Sequence, residues 1–334
     1  MTKPTHALQR RASQQGLTMV ELLVALALGG LIALAAVAAL TVSRQGFIAV
    51  DASAQLRDNA RFATSIIRRL ATQAAFKDFK YASTSASSAF RMGSSTTSLA
   101  EPNIKGFNNA AYDVELVKGA TNSVTTTGVN NSDMLVVRYQ MGTVTKTDGT
   151  EGPDQTMIDC SGATSTALAT SESERMVSVF YVGTDQGEPT LMCAWFDGTN
   201  WNQQPLVQGV ESLQLLYGVD GVTAGAAPTA SANRDTAPEQ YLRADQMVAS
   251  TTVATNENWQ RVRSIRVGMV MRGPPGSSSE RTVPAQYPLG PQGLMNSTND
   301  PGSVLSSQSD GRLRQTTSFT IHLRNAAIPR QDAT

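Results

Sequence analysis

The chain has 334 residues with 27 basic and 27 acidic side chains, a formal net charge of zero. That balance excludes a surface given over to nucleic acid, since phosphate contacts need clustered Lys and Arg. Charged residues make up only 16% against roughly 25% in ordinary soluble domains, and two histidines, His6 and His322, leave little for His-based metal or acid–base chemistry.

The first sixteen residues carry Lys3, His6, Arg10 and Arg11 and no acid, and the 19 residues Leu22 to Leu40 carry no charge. At about 1.5 Å per residue that run forms a helix of roughly 28 Å, close to the thickness of a bilayer's hydrocarbon core. With basic residues before it and only Arg44 soon after it, the predicted topology keeps the N-terminus cytoplasmic and exports the remainder. A cleaved secretory signal ending at Ala36-Val37-Ala38 is the plainer alternative. The run is longer than the usual h-region of about 7–15 residues, however, and an acid, Glu21, stands at its start. A carboxylate in such a place costs up to ~2.5–3.5 kcal/mol when unpaired at mid-membrane, so Glu21 needs a partner.

The phrase Gly16-Leu17-Thr18-Met19-Val20-Glu21, followed by Leu22-Leu23-Val24-Ala25-Leu26, resembles the class III signal of type IV pilins and pseudopilins. The resemblance implies a leader, residues 1–16, removed after Gly16 by a prepilin peptidase. Leu17 becomes the methylated first mature residue, where the family more often has Phe. Glu21 is then the assembly residue, matching a free terminal amine that would otherwise be a buried, unpaired charge.

No proline occurs between Pro4 and Pro102, so a helix is expected over 17–76, with about 22–42 in the membrane. Phe62, Ala63, Ile66, Ile67, Leu70 and Ala74 recur at three- and four-residue steps and predict a buried stripe in its second half. Gly29-Gly30 weakens the first half, either for tight helix packing or, as in related pilins, for local melting on assembly. Residues 83–100 are Ser-, Thr- and Ala-rich and read as a linker or loop.

Beyond it, Asp133 to Tyr139, Met176 to Val182 and Thr190 to Phe196 read as strands. So do the alternating Leu213, Leu215, Tyr217, Val219; Ile265, Val267, Met269, Met271; and Phe319, Ile321, Leu323. These predict an antiparallel sheet covered by the second half of the long helix. Two stretches, about 225–239 and about 273–312, lack core periodicity and are expected to be surface insertions; the second holds six of the fourteen prolines. The expected fold is α+β, with a 77–334 periplasmic β-rich domain.

Cys160 and Cys193 are the only cysteines and lie in the region predicted to be exported, so a disulfide between them is expected. No C-x-x-C supports redox or zinc chemistry, and no catalytic motif of the common hydrolases is present. His322 falls on the outward face of its strand. The clusters Asp148-Gly149-Thr150-Glu151-Gly152 and Asn299-Asp300-Pro301-Gly302 lack EF-hand ligand spacing and read as turns.

Several phrases resemble the PilW family of minor pilins: Val137-Arg138-Tyr139, Asp159-Cys160-Ser161-Gly162, Leu206 to Leu213 leading to Tyr217-Gly218-Val219-Asp220, Val262 to Val267, and Phe319 to Asn325. The resemblance implies a type IV pilin-like fold and a subunit with no enzymatic activity and no cofactor or metal. Such a subunit waits in the inner membrane, joins other minor pilins to prime polymerisation of the major pilin, and ends near the pilus tip with a tip adhesin; no nucleic-acid partner is expected. The alternatives are a J-type pseudopilin of type II secretion, whose domain is generally shorter, and a membrane-anchored periplasmic binding module or adhesin.

Overall fold

A computed structural model describes residues 16–78, 101–165, 168–169, 174–229, 237–290 and 300–325. The leader up to residue 15, the linker 83–100 and Asn299 therefore lie outside the described residues. The chain divides into two compact units, Met1–Val50 and Asp51–Thr334. One helix, α1 (Met19–Gln73), contributes to both.

In the second unit α1 buries Ala52, Leu56, Ala60, Ala63, Ile67, Leu70 and Ala71, at the three- and four-residue steps of one helical face. The stripe is narrower than the sequence suggested. Phe62 is 54% exposed and Ile66 only partly buried, because Phe62 precedes Ala63 by one residue, about 100° around the helix. Alanines occupy much of the buried line, so the sheets come close to the helix axis where a large residue would hold them off. The helix stops where Ala75 turns to φ +61°. Its N–H donates to Arg138 O at 3.0 Å, and both ends of the Gln73 amide bond the Ile158 backbone, at 3.0 and 3.2 Å.

Among the described residues the strands are β1 (Ile104–Phe107), β2 (Met134–Tyr139), β3 (Thr143–Thr145), β4 (Glu151–Pro153), β5 (Met176–Asp185), β6 (Glu188–Phe196), β7 (Trp201–Gln208), β8 (Val210–Val219), β9 (Gln240–Leu242), β10 (Val262–Arg272) and β11 (Arg314–His322). Two short helices, α2 (Val114–Lys118) and α3 (Thr252–Gln260), complete the regular structure. The strands form a five-stranded sheet β1-β2-β5-β6-β7, a four-stranded sheet β11-β10-β8-β9 and the small pair β3-β4. Every pairing is antiparallel.

The expected alternation is present in the register. Ile265 faces Tyr217 and Ile321 across the ladder, and Val267 faces Leu215 and Phe319. These side chains, with Leu135, Val137, Phe180 and Leu191 of the larger sheet, enclose the helix stripe in one core. The larger sheet has a second apolar face, where Val136, Val179 and Tyr181 pack under α2 and Tyr112 stacks on Tyr181 at 5.1 Å. α2 itself is held by an Asp113 N-cap and by Gly119 at φ +76°, which only glycine adopts without strain.

β8 is buried on both faces, which alternating hydrophobicity does not predict. The cause is the segment 273–312, expected to be a surface insertion. It contains no long strand among its described residues, yet two bridges, Val283 with Gln308 and Gln286 with Leu305, fold it over the outer face of the four-stranded sheet. It buries Val283, Leu289 and Leu305 there. Pro288 sits so close to β10 that a Cβ on Gly268 would lie 2.3 Å from its carbonyl oxygen. The two sheets are also joined directly. Asp133 N–H donates to Leu213 O at 2.8 Å, and the Asp133 carboxylate accepts from Leu215 N–H at 2.8 Å and Asn109 N–H at 2.9 Å.

Candidate assembly segment

The residues singled out at the N-terminus stand together at the start of α1. Gly16, Leu17 and Thr18 precede the helix and are exposed. Thr18 Oγ1 accepts from Glu21 N–H at 3.3 Å, while Glu21 Oε2 accepts from the Thr18 N–H and from the Thr18 hydroxyl, each at 3.0 Å. This reciprocal T-x-x-E capping box satisfies donors that a helix N-terminus otherwise leaves bare. The Gly16–Leu17 peptide thus lies just outside the first hydrogen-bonded turn.

From Gly16 to Ile48 every residue is exposed, including Leu22, Leu23, Leu26, Leu31, Ile32 and Leu34. The most apolar 18-residue stretch has a mean hydropathy of 2.6. An apolar surface of this extent is stable only when lipid or other apolar helices cover it. Gly29 and Gly30 have open space where a Cβ would be, so nothing in the isolated chain requires them.

In the domain unit, Cys160 and Cys193 are joined, with Cα atoms 5.8 Å apart. The bridge anchors a tight loop in which Asp159 Oδ1 accepts from Ser161 N–H at 2.8 Å and Ala163 N–H at 3.1 Å and Gly162 takes φ +88°. The same loop presents Ile158 to Gln73 at the end of α1. His322 is exposed and pairs across the ladder with Ser264.

One group went unseen in the sequence, a chain of ion pairs beside the helix. Glu188 accepts from Arg272 at 2.5 Å and from Arg312 at 2.9 and 3.0 Å. Glu211 accepts from Arg314 at 2.6 and 2.9 Å, and Asp310 from Arg314 at 2.8 and 2.7 Å. Hydrogen bonds from Arg312 and then Arg272 hold the Glu188 carboxyl below its ordinary range. Arg314, in turn, is pushed up by its two carboxylate partners against the effect of burial. Three guanidinium groups and three carboxylates balance, which makes the network a structural tie between β6, β8, β10 and β11. Its members Glu188, Arg272 and Arg312, with Gln55, Leu56 and Asn59 of α1, line a pocket of about 160 Å³. The one legible hint was the alternation Arg312-Leu313-Arg314, a strand start at the end of a stretch that otherwise reads as loop.

Residues 11–37 match the prokaryotic N-terminal methylation motif, and residues 179–325 match the family described as Type IV Pilus-assembly protein W. The chain carries a PilW-family domain behind a prokaryotic N-terminal methylation motif. The PilW match begins within β5 and continues past β11, taking in strands of both large sheets and the segment that folds over the smaller one. The methylation motif takes in Gly16, Leu17, the capping box and the first turns of the apolar helix. A type IV-like pilin from Thermus thermophilus is a structural neighbour, with 12% identity and a TM-score of 0.38, covering 82% of this chain and 99% of that one. No curated protein matched the chain in sequence.

Proposed function

We propose that this chain, with its PilW-family domain, is a non-enzymatic minor pilin that helps to prime type IV pilus assembly and ends at or near the pilus tip. In this reading a prepilin peptidase cuts after Gly16 and Leu17 is methylated. The chain is held in the inner membrane by about 22–42, with residues 77–334 in the periplasm. Other minor pilins, the major pilin and a tip adhesin are its partners. The observation that carries the reading is the exposed Gly16-Leu17 bond immediately before a Thr18–Glu21 capping box and an uncovered apolar helix. Cleavage there creates an amine four residues before Glu21, just ahead of the first turn of α1. The carboxylate that caps the uncut helix then has a charge to match, either its own terminus or that of a neighbour, in an apolar surrounding where an unmatched charge is costly.

The test is N-terminal sequencing and intact mass of the chain expressed with and without a prepilin peptidase. A peptidase-dependent start at methylated Leu17 is expected. A start near Ala39, or an uncut Met1 in the presence of the peptidase, removes the assembly mechanism. For Glu21→Ala, normal pilus number would count against the charge-matching role while leaving processing intact.

A further inference from the structure

Among the described residues, no strand or helix lies between Pro153, where β4 ends, and Met176, where β5 begins. Residues 157–163 of this stretch nonetheless lie against the core: Cys160 is 5% exposed, and Met157 and Ile158 pack on the cluster that holds the helix stripe. Side chains from four strands of the larger sheet meet them. Cys193 of β6 closes the disulfide, and Ser178 Oγ of β5 accepts from Cys160 N–H at 3.0 Å. Gln204 Nε2 of β7 donates to Cys160 O at 3.3 Å, and the Tyr139 hydroxyl of β2 donates to Ile158 O. The loop is a plug on the inner face of that sheet.

On its other side the plug holds the end of α1. Gln73 Nε2 donates to Ile158 O at 3.0 Å and Gln73 Oε1 accepts from Ile158 N–H at 3.2 Å, so the amide at the last helical residue is matched at both ends by one residue of the loop. Leu70, Ala71 and Ala74, on the same turns, are 2%, 0% and 1% exposed. Two further ties reach this end without the plug: Ala75 N–H to Arg138 O at 3.0 Å and Asn325 Nδ2 to Thr72 O at 3.2 Å. Among the described residues the plug shares no ladder with any strand of the sheet. The covalent bond is therefore its strongest attachment.

We propose that the Cys160–Cys193 disulfide is a redox latch on the end of α1. Closing it joins the two sulfurs by exchange with a protein that carries an oxidised dithiol. The S–S bond of that protein breaks, its sulfurs take up the two electrons and the two thiol protons, and it leaves as a dithiol. The closed latch seats 157–163 and presents Ile158 to Gln73. With the sulfurs reduced, the loop leaves the sheet, and the last turn of α1 loses both amide bonds together with the Met157 and Ile158 side chains. Arg68 and Arg69 stand exposed on these turns, so the latch also fixes where their charge is held. Under the assembly reading above, on which this last step rests, oxidation precedes docking of α1 against a neighbouring subunit.

Hydrogen exchange of the full chain in detergent tests the latch apart from pilus formation. The oxidised wild type is compared with the same chain reduced by a phosphine and with the double variant Cys160→Ser, Cys193→Ser. The amides of 70–76 and 157–163 are expected to exchange about tenfold faster or more in both reduced forms, the scale that losing two buried hydrogen bonds sets on local opening, while those of β8 and β10 keep their rates. Gln73→Ala in the oxidised chain should speed 70–76 in the same way, although the sulfurs stay joined. Acceleration confined to 157–163 overturns the proposal, because the ties at Ala75 and Thr72 then hold the helix end by themselves. Acceleration of every strand together, or unfolding of the reduced chain as a whole, overturns it too, since the bond is then a staple of the entire fold. Unchanged rates at 70–76 in Gln73→Ala overturn it as well: the coupling does not pass through Gln73.

Discussion

The two faces of α1 make opposite predictions for two substitutions five residues apart. Ile67 is 1% exposed in the main core. Ile67→Ala removes three buried carbons, about 2.4 kcal/mol at roughly 0.8 kcal/mol each. A stripe held between two sheets collapses little, so the residual cavity raises the loss to about 3–4 kcal/mol. Phe62, read from periodicity as part of the same stripe, is 54% exposed, and Phe62→Ala is expected to cost about 0.5 kcal/mol or less. Guanidinium unfolding of the full chain in detergent, followed through the fluorescence of Trp195, Trp201 and Trp259, measures both losses, and Ile67→Ala should lower the melting temperature by roughly 5–15 °C. If Phe62→Ala costs as much as Ile67→Ala, the stripe is rotated from the one described. If Ile67→Ala costs under about 1 kcal/mol, the helix does not close this core.

Replacing Cys160 and Cys193 together by serine reopens a loop with a sequence separation of 33, and should cost roughly 3–4 kcal/mol on the loop-entropy model; thermal melts with and without reductant should show the wild type falling to the level of the double mutant. Gly268→Ala would put a methyl 2.3 Å from Pro288 O and is expected to cost about 1–3 kcal/mol, with faster hydrogen exchange confined to 283–308 and β10. A neutral Gly268→Ala would mean that the segment is not packed on the sheet. Acid unfolding supplies a fourth check. Asp310 is held down to about 2 from an ordinary 3.8, first by the hydrogen bonds from Arg314. A depressed carboxylate stabilises fully above its unfolded pKa and loses that contribution as pH falls through the folded one. Stability should therefore decline between about pH 4 and pH 2, and Asp310→Asn should flatten that part of the curve.

What the sequence made legible is what local chemistry decides. The Gly16-to-Glu21 phrase, the apolar run and the strands with two or more alternating large residues are periodic or motif-bound. The rest depended on contacts between distant residues. β7 contains Asn202, Gln203, Gln204 and Pro205, and it is polar because it is an edge strand, with Pro205 at a position where no further strand needs its N–H. α3 is a helix whose Thr255, Asn256 and Asn258 are buried, and a polar stripe gives no hydrophobic period. The 273–312 segment buries three widely separated residues among prolines and serines. Only the fold brings Val283, Leu289 and Leu305 to one face. The ion-pair chain was hidden for the same reason, since Glu188 and Arg312 are 124 residues apart.

The division of labour along α1 bears on how function and stability are separated. All the side chains that the helix buries in the domain lie from Ala52 onward. Between Leu22 and Ser43 there is no charge and no buried residue. The contacts that hold the domain therefore make no use of the apolar half. In the domain half, Ala52, Ala60, Ala63 and Ala71 give up apolar area to let the sheets approach closely, so Leu56, Ile67 and Leu70 carry most of the burial energy on that face. The opposite face keeps Arg57, Asp58, Arg61, Arg68 and Arg69 exposed, so it stays soluble while the domain is in water. It follows that substitutions in the apolar half, Glu21 included, should change insertion or assembly while leaving the unfolding of the domain unmoved, whereas those on the alanine line should do the reverse.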